Sequence, residues 1–188
     1  MTPILIKNQL LQSASYIIGN LLVDCGDGDA ILKAVEDNNV EIKGTLLTHC
    51  HQDHIYGLPL VMERFPNAKI YCSAMTHLGL KDDSLNLMYI MPEYAFEFKY
   101  DDSVVELQEG INRIDDIVVE MIACNGHSND CQSYVIGDNL FTGDAHIPHA
   151  KVFTKWQTSN KALAMESERK LLQIAEERSL KIRPGHWQ

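Results

Sequence analysis

The chain has 188 residues, of which 45% are apolar and 22% charged, ordinary proportions for one folded domain over residues 1–188 with a sizeable core. Its formal net charge of −10 leaves no basic footprint for nucleic acid, although a small anionic substrate remains compatible with a local site. No apolar run reaches bilayer length and no basic segment precedes an apolar N-terminal stretch, so no membrane partner is expected and the cytoplasm is the expected location.

The five cysteines (Cys25, Cys50, Cys72, Cys124 and Cys131) are odd in number and form no CxxC pair. This argues against a disulfide framework and for a reducing compartment. ILI at 4–6, YII at 16–18 and LLVD at 21–24 are short apolar runs separated by polar or glycine breaks, as in strands of a meander. After a CGDGD turn, the spacing of Ile31, Leu32, Ala34 and Val35 predicts a helix over 29–37 with Asp29 as N-cap. Residues 42–48 read as a buried strand, 58–65 as a helix stopped by Pro66, and 69–72 as a further strand. The stretch 81–116 is poorly periodic, with Val104-Val105 its clearest strand. Strands are expected at 117–122, 133–136 and 139–142, the last two as a hairpin around Gly137-Asp138. Leu163, Leu171, Ile174 and Ala175 mark one face of a late helix, and 180–182 a final strand. Helices follow both halves of the strand set, which predicts an α/β (α+β) chain in four αββα layers.

The chemistry concentrates at THCHQDH, residues 48–54, where His49, His51, Asp53 and His54 follow directly on an apolar strand. Residues two apart in an extended segment point the same way, and the adjacent His54 faces another position. One short loop can therefore feed two cations, and imidazole with carboxylate suits Zn²⁺, and also Fe or Mn. Three later strand ends offer the missing ligands, each behind a glycine: Gly126-His127, Gly143-Asp144 and Gly185-His186.

In order, HCHQDH, the GH at 126–127, FTGD at 141–144 and PGH at 184–186 resemble the motifs of the metallo-β-lactamase superfamily, and VDCG at 23–26 resembles its early Asp-x-Gly turn. The resemblance covers nearly the whole chain. It implies the αββα sandwich with a dinuclear site, two Zn²⁺ per chain, at one edge. It implies His49, His51 and His127 on one metal, Asp53, His54 and His186 on the other, Asp144 bridging, and Asp24 orienting a histidine ligand through its other ring nitrogen. Asp24 and Asp144 look more like the glyoxalase II, lactonase and phosphodiesterase branch than the true β-lactamases, which carry a Cys near position 144.

Such a centre implies a hydrolase of a small ester, thioester, lactone or phosphodiester, because a bound metal lowers the pKa of its water from 15.7 to about 7. Asp53 is the expected catalytic residue, relaying a proton as well as binding metal. Cys50, pointing away from its histidine neighbours, is expected to be packing. The chain stops two residues past His186, without the basic C-terminal helical region that grips glutathione in glyoxalase II, so glutathione specificity is not expected. SNDCQS after His127 also replaces the Pro-Gly-rich segment of relatives.

His146, His149, Lys151 and Lys155, just after Asp144, are candidate contacts to an anionic small-molecule substrate, or else a solvated loop. Met88, Tyr89, Met91, Tyr94, Phe96 and Phe98 offer an apolar wall or lid, core packing, or the contact of a homodimer. Two readings compete with hydrolysis: a mononuclear-iron protein like the persulfide dioxygenases of the superfamily, and a metal-binding domain without catalysis.

Overall fold

The computed structural model describes residues 1–187. Eleven strands form two sheets. In the first, β1 (Ile4–Lys7), β2 (Ala14–Ile18) and β3 (Leu21–Val23) run antiparallel; β4 (Gly44–Leu46), β5 (Lys69–Cys72) and β6 (Val104–Glu106) then extend it in parallel. In the second, β7 (Gly110–Ile114), β8 (Ile117–Ala123), β9 (Gln132–Ile136) and β10 (Asn139–Gly143) are antiparallel neighbours, and β11 (Lys181–Pro184) lies parallel to β10.

The period-2 alternation of these strands sorts their side chains into three apolar layers. Tyr16, Ile18, Leu21 and Val23 from the first sheet meet Val119, Met121, Tyr134, Ile136 and Phe141 from the second. Ile17 and Leu22 point the other way, onto α1 (Gly28–Asn38) and its neighbour Leu58–Arg64. Ile122, Val135 and Leu140 likewise leave the sandwich interior and pack on Leu171 and Ala175 of the late helix Lys161–Glu177. The order is αββα, as expected, because each sheet is apolar on both faces and each outer face needs a helix. No helix among the described residues is long and apolar enough to cross a membrane.

Several boundaries move. Asp27, rather than Asp29, caps α1: its carboxylate accepts Ala30 N–H at 3.1 Å, and Asp29 sits in the first turn, where the helix dipole favours an acid. The strand expected over 42–48 is paired in the ladder only at Gly44–Leu46, since Thr48 turns out to bond Asp24. Strand β7 was not predicted, because the polar Asn112 and Arg113 interrupt its alternation; pairing with β8 along its whole length creates it. Leu163 is exposed, and Ala164 takes the buried position on the late helix.

That small residue matters at Gly126. Here φ is +143°, and a Cβ would sit 2.2 Å from the Ala164 nitrogen. Gly143, at φ +50°, would meet the Thr48 side chain at 2.6 Å. Glycine is therefore required twice over, by conformation and by space, immediately before His127 and before Asp144. At Gly185 space alone makes the demand, because a Cβ would meet Asp144 Oδ1 and the Gly143 backbone.

Gly126→Ala should accordingly lower stability by about 3 kcal/mol or more, seen in denaturant melts. Asp27→Ala should cost about 1 kcal/mol, the usual worth of an N-cap.

Candidate metal centre

The centre is assembled at the ends of β3, β4, β8, β10 and β11. Asp24, one residue past β3 and left-handed at φ 55°, is almost fully buried. Its carboxylate accepts from Thr48 N at 2.8 Å, from Thr48 Oγ1 at 2.9 Å and from His54 Nδ1 at 2.9 Å. One side chain thus ties two strand ends to the ligand loop, and the backbone strain sits where it serves the site. The loop is not extended throughout. His51 is extended, but it is the N-cap of the short helix Gln52–Ile55, which carries Asp53 and His54. The helical turn, rather than simple alternation, separates those two from the first pair.

The outer nitrogens fix the ring tautomers. His127 Nδ1 lies 2.9 Å from the Phe153 carbonyl, and His186 Nδ1 2.9 Å from the Leu11 carbonyl. Both acceptors demand a donor, so both rings carry the proton on Nδ1, as does His54 against Asp24. Thr48 Oγ1 donates to Asp24 and can only accept from His49 Nδ1, at 3.1 Å. In their neutral form these four histidines therefore turn Nε2 lone pairs inward. His51 Nδ1 approaches His127 Nε2 at 2.9 Å.

The carboxylates complete the cluster. Asp144 lies 3.3 Å from His54 Nε2, 3.4 Å from His127 Nε2 and 3.2 Å from His186 Nε2, between the two halves. Asp53 lies 3.4 Å from His54 and 3.5 Å from His186. Burial raises the Asp53 pKa. Burial acts in the same sense on Asp144, but His54, His127 and His186 outweigh it and hold that carboxyl well below its usual range. Burial pushes His49 and His51 down. It would lower His54 too, but Asp53, Asp144 and Asp24 carry that group upward.

These residues fit a metal on the structure's own terms. Among the described residues, buried polar atoms without a partner include His49 Nε2, His51 Nε2, His54 Nε2 and Asp144 Oδ1. Each such orphan costs about 1–3 kcal/mol, and those of His49, His54 and Asp144, which fall in one candidate ligand group, indicate a missing shared partner. Three groups bring candidate ligand atoms within 4.8 Å of one another: His49, His51 and His127; His49, His54 and Asp144; and Asp53, His54 and His186.

Sequence reasoning missed the supports behind this ring. Asp130, buried, accepts Cys50 N at 2.9 Å and pins the ligand loop from the second half of the chain. The SNDCQS segment held that residue, but nothing in its spacing points to a contact 80 residues away. Cys50 itself is buried against Gly79, as packing.

A cleft of about 410 Å³ opens over the centre. Of the proposed substrate contacts, Lys151 lines it. His146 does not; its Nδ1 is held 2.8 Å from Glu168 on the late helix. His149 lies in a neighbouring groove beside Trp187, and Lys155 is exposed outside the cleft. The 81–101 stretch divides: Met88 and Phe98 join the core, Met91 lines the cleft, and Tyr89 is exposed.

The profile of the metallo-beta-lactamase superfamily matches residues 8–186. Hydroxyacylglutathione hydrolase 1 of Vibrio vulnificus is 24% identical over 124 residues, 66% of this chain and 42% of its own length. Glyoxylase B2 of Dictyostelium discoideum is 26% identical over 165 residues, 80% of this chain and 55% of its own. The chain thus spans about half or less of the curated relatives it matches. The crystal structure of the BLEG-1 B3 metallo-beta-lactamase superposes with a TM-score of 0.86 at 21% identity, covering 100% of this chain and 92% of that one. TTHA1623, solved in a di-iron-bound form, gives 0.81 at 19% identity, covering 100% and 93%. At such identities the likeness is one of fold. With the profile running from residue 8 to residue 186, and the same layered sandwich carrying its histidines and aspartates to one edge, the chain belongs to the metallo-beta-lactamase superfamily.

Proposed function

We propose that this protein is a dinuclear zinc hydrolase of a small ester, thioester, lactone or phosphodiester. The observation that carries the reading is the convergence of the His49, His54, His127 and His186 Nε2 atoms on Asp144, with those of His49 and His54 left without a hydrogen-bond partner. His49, His51 and His127 would hold one cation, Asp53, His54 and His186 the other, and Asp144 would touch both. Five imidazoles with two carboxylates suit zinc better than harder cations. When bound, zinc supplies a nucleophile from water at neutral pH and polarises the oxygen under attack.

The protein's own groups do the remainder. Asp24, Phe153 O and Leu11 O hold His54, His127 and His186 in one tautomer and one orientation. Asp53, whose pKa burial raises, is the carboxylate we assign to receive a proton at Oδ2, beside His186 Nε2. The apolar side chains around the cleft keep bulk water from the reacting atoms. The hydrolase name of the partly covered Vibrio vulnificus relative supports the reaction class.

Elemental analysis of protein purified without added metal should find about two zinc per chain, with turnover in a screen of esters, thioesters, lactones and phosphodiesters. One iron per chain would instead shift the reading to oxygen chemistry. Asp53→Ala and Asp144→Asn should each abolish hydrolysis in a chain that remains folded by circular dichroism; unchanged turnover would sink the assignment. Asp24→Asn should weaken metal affinity by about 10–100-fold, read by competition with a chelating dye. Chelation should lower the thermal midpoint, since metal binds the folded state.

A further inference from the structure

The cleft over the metal centre has a composition that the proposed reaction alone does not require. Beyond the ligands its lining is Leu10, Leu11, Leu87, Ile90, Met91, Ile147, Phe153 and Trp156, with Gln52 and the single cation Lys151. Three of these side chains stay open to solvent although they are large and apolar: Leu11 at 56%, Ile90 at 39% and Phe153 at 45% exposure. Scattered exposed apolar residues need no explanation, but three converging on one cleft do.

Each wall hangs on the ligand set. The Leu11 carbonyl accepts His186 Nδ1–H, the Phe153 carbonyl accepts His127 Nδ1–H, and Gln52, inside the ligand helix, donates to the Met91 carbonyl at 2.7 Å. The first wall is also strained. Leu11 and Gln12 both lie in the left-handed region, at φ 49° and 59°, which costs leucine about 1–2 kcal/mol. An asparagine at position 11 would accept that conformation and still offer its carbonyl to His186. The strained residue is instead a leucine whose side chain lines the cleft, and retained strain at a site points to use of the residue that bears it.

We infer that the cleft recognises a medium-length apolar acyl chain, and that Leu11 and Ile90 are specificity-determining residues for it. This rests on the hydrolase reading for its placement: the acyl carbonyl lies over the Asp144 ring and the chain runs out along Leu11, Ile90 and Phe153. A cavity of about 410 Å³ falls in the range of small-molecule sites, about 300–1,000 Å³. A glutathione conjugate fits poorly, because its two carboxylates and one ammonium would face a single lining cation, Lys151, and otherwise apolar side chains.

The test reads binding directly. Trp156 lines the cleft, so its fluorescence in a Trp187→Phe background, with metal-loaded protein, reports occupancy by acetate, butyrate, hexanoate and octanoate. The carboxylate is common to the series, and the slope therefore measures the chain. Affinity should rise by about threefold to fourfold per added methylene. Leu11→Asn and Ile90→Ser should each weaken octanoate by about fivefold or more, with zinc content unchanged, and Leu11→Asn should keep the thermal midpoint, since asparagine tolerates the left-handed backbone. Equal affinity from acetate to octanoate, or octanoate affinity untouched by both variants, would overturn the inference. Acetyl and octanoyl thioesters are then assayed for turnover. A steep binding slope without hydrolysis of either would leave acyl recognition standing and remove thioester hydrolysis from the reading; hydrolysis with a flat slope would overturn acyl recognition and leave the hydrolase reading standing.

Discussion

Everything at the centre depends on where the histidine protons are. Carbonyl oxygens of Phe153 and Leu11, the Asp24 carboxylate and the Thr48 hydroxyl occupy the Nδ1 positions of His127, His186, His54 and His49. Each contact forces a proton outward and a lone pair inward. Without those acceptors the rings could pair among themselves and with Asp53 and Asp144 as an ordinary buried network. With them, the Nε2 atoms of those four rings offer lone pairs inward when the rings are neutral, and a cation is a partner that satisfies them together.

The same contacts explain why the fold and the cleft cannot be separated. Asp24 joins the ends of β3 and β4 to the ligand helix, and Asp130 reaches the loop at Cys50 from the second sheet's side. The walls of the cleft are then suspended from the far sides of the ligands at Leu11, Met91 and Phe153. Substrate-facing surface and ligand orientation are one network, so a change in the wall backbone is felt at the metal ring. A change of wall side chain alone alters the cleft with little effect on the ring, and this is the route by which one superfamily scaffold admits different substrates.

Membership of the superfamily fixes less than the size of the likeness suggests. Solved structures superpose over the whole chain at about one-fifth identity, which conveys architecture. The curated relatives share fewer residues and extend well beyond the matched region. The proposed acyl-chain cleft therefore rests on Leu11, Ile90, Phe153 and Lys151 of this chain, the side chains that line it.

The sequence by itself determined the layered fold and which residues are candidate metal ligands. Alternation in YII and LLV assigns each side chain to one of two faces, a local property of the strand. The metal residues were legible because they are dense in THCHQDH and because glycine marks the other strand ends where the chain must turn. Tertiary structure decided the rest. Strand β7 exists through its pairing with β8, and its own residues alternate too weakly to announce it. Asp130 lacks the Asp-x-Gly turn that marked Asp24, yet it holds Cys50 across 80 residues. His146 and His149 stand as near to Asp144 in the chain as Lys151, but Glu168 and the left-handed turn at His149 draw them away from the cleft. Which side chain faces a cavity is set by contacts between segments far apart in the chain, and no local pattern encodes those contacts.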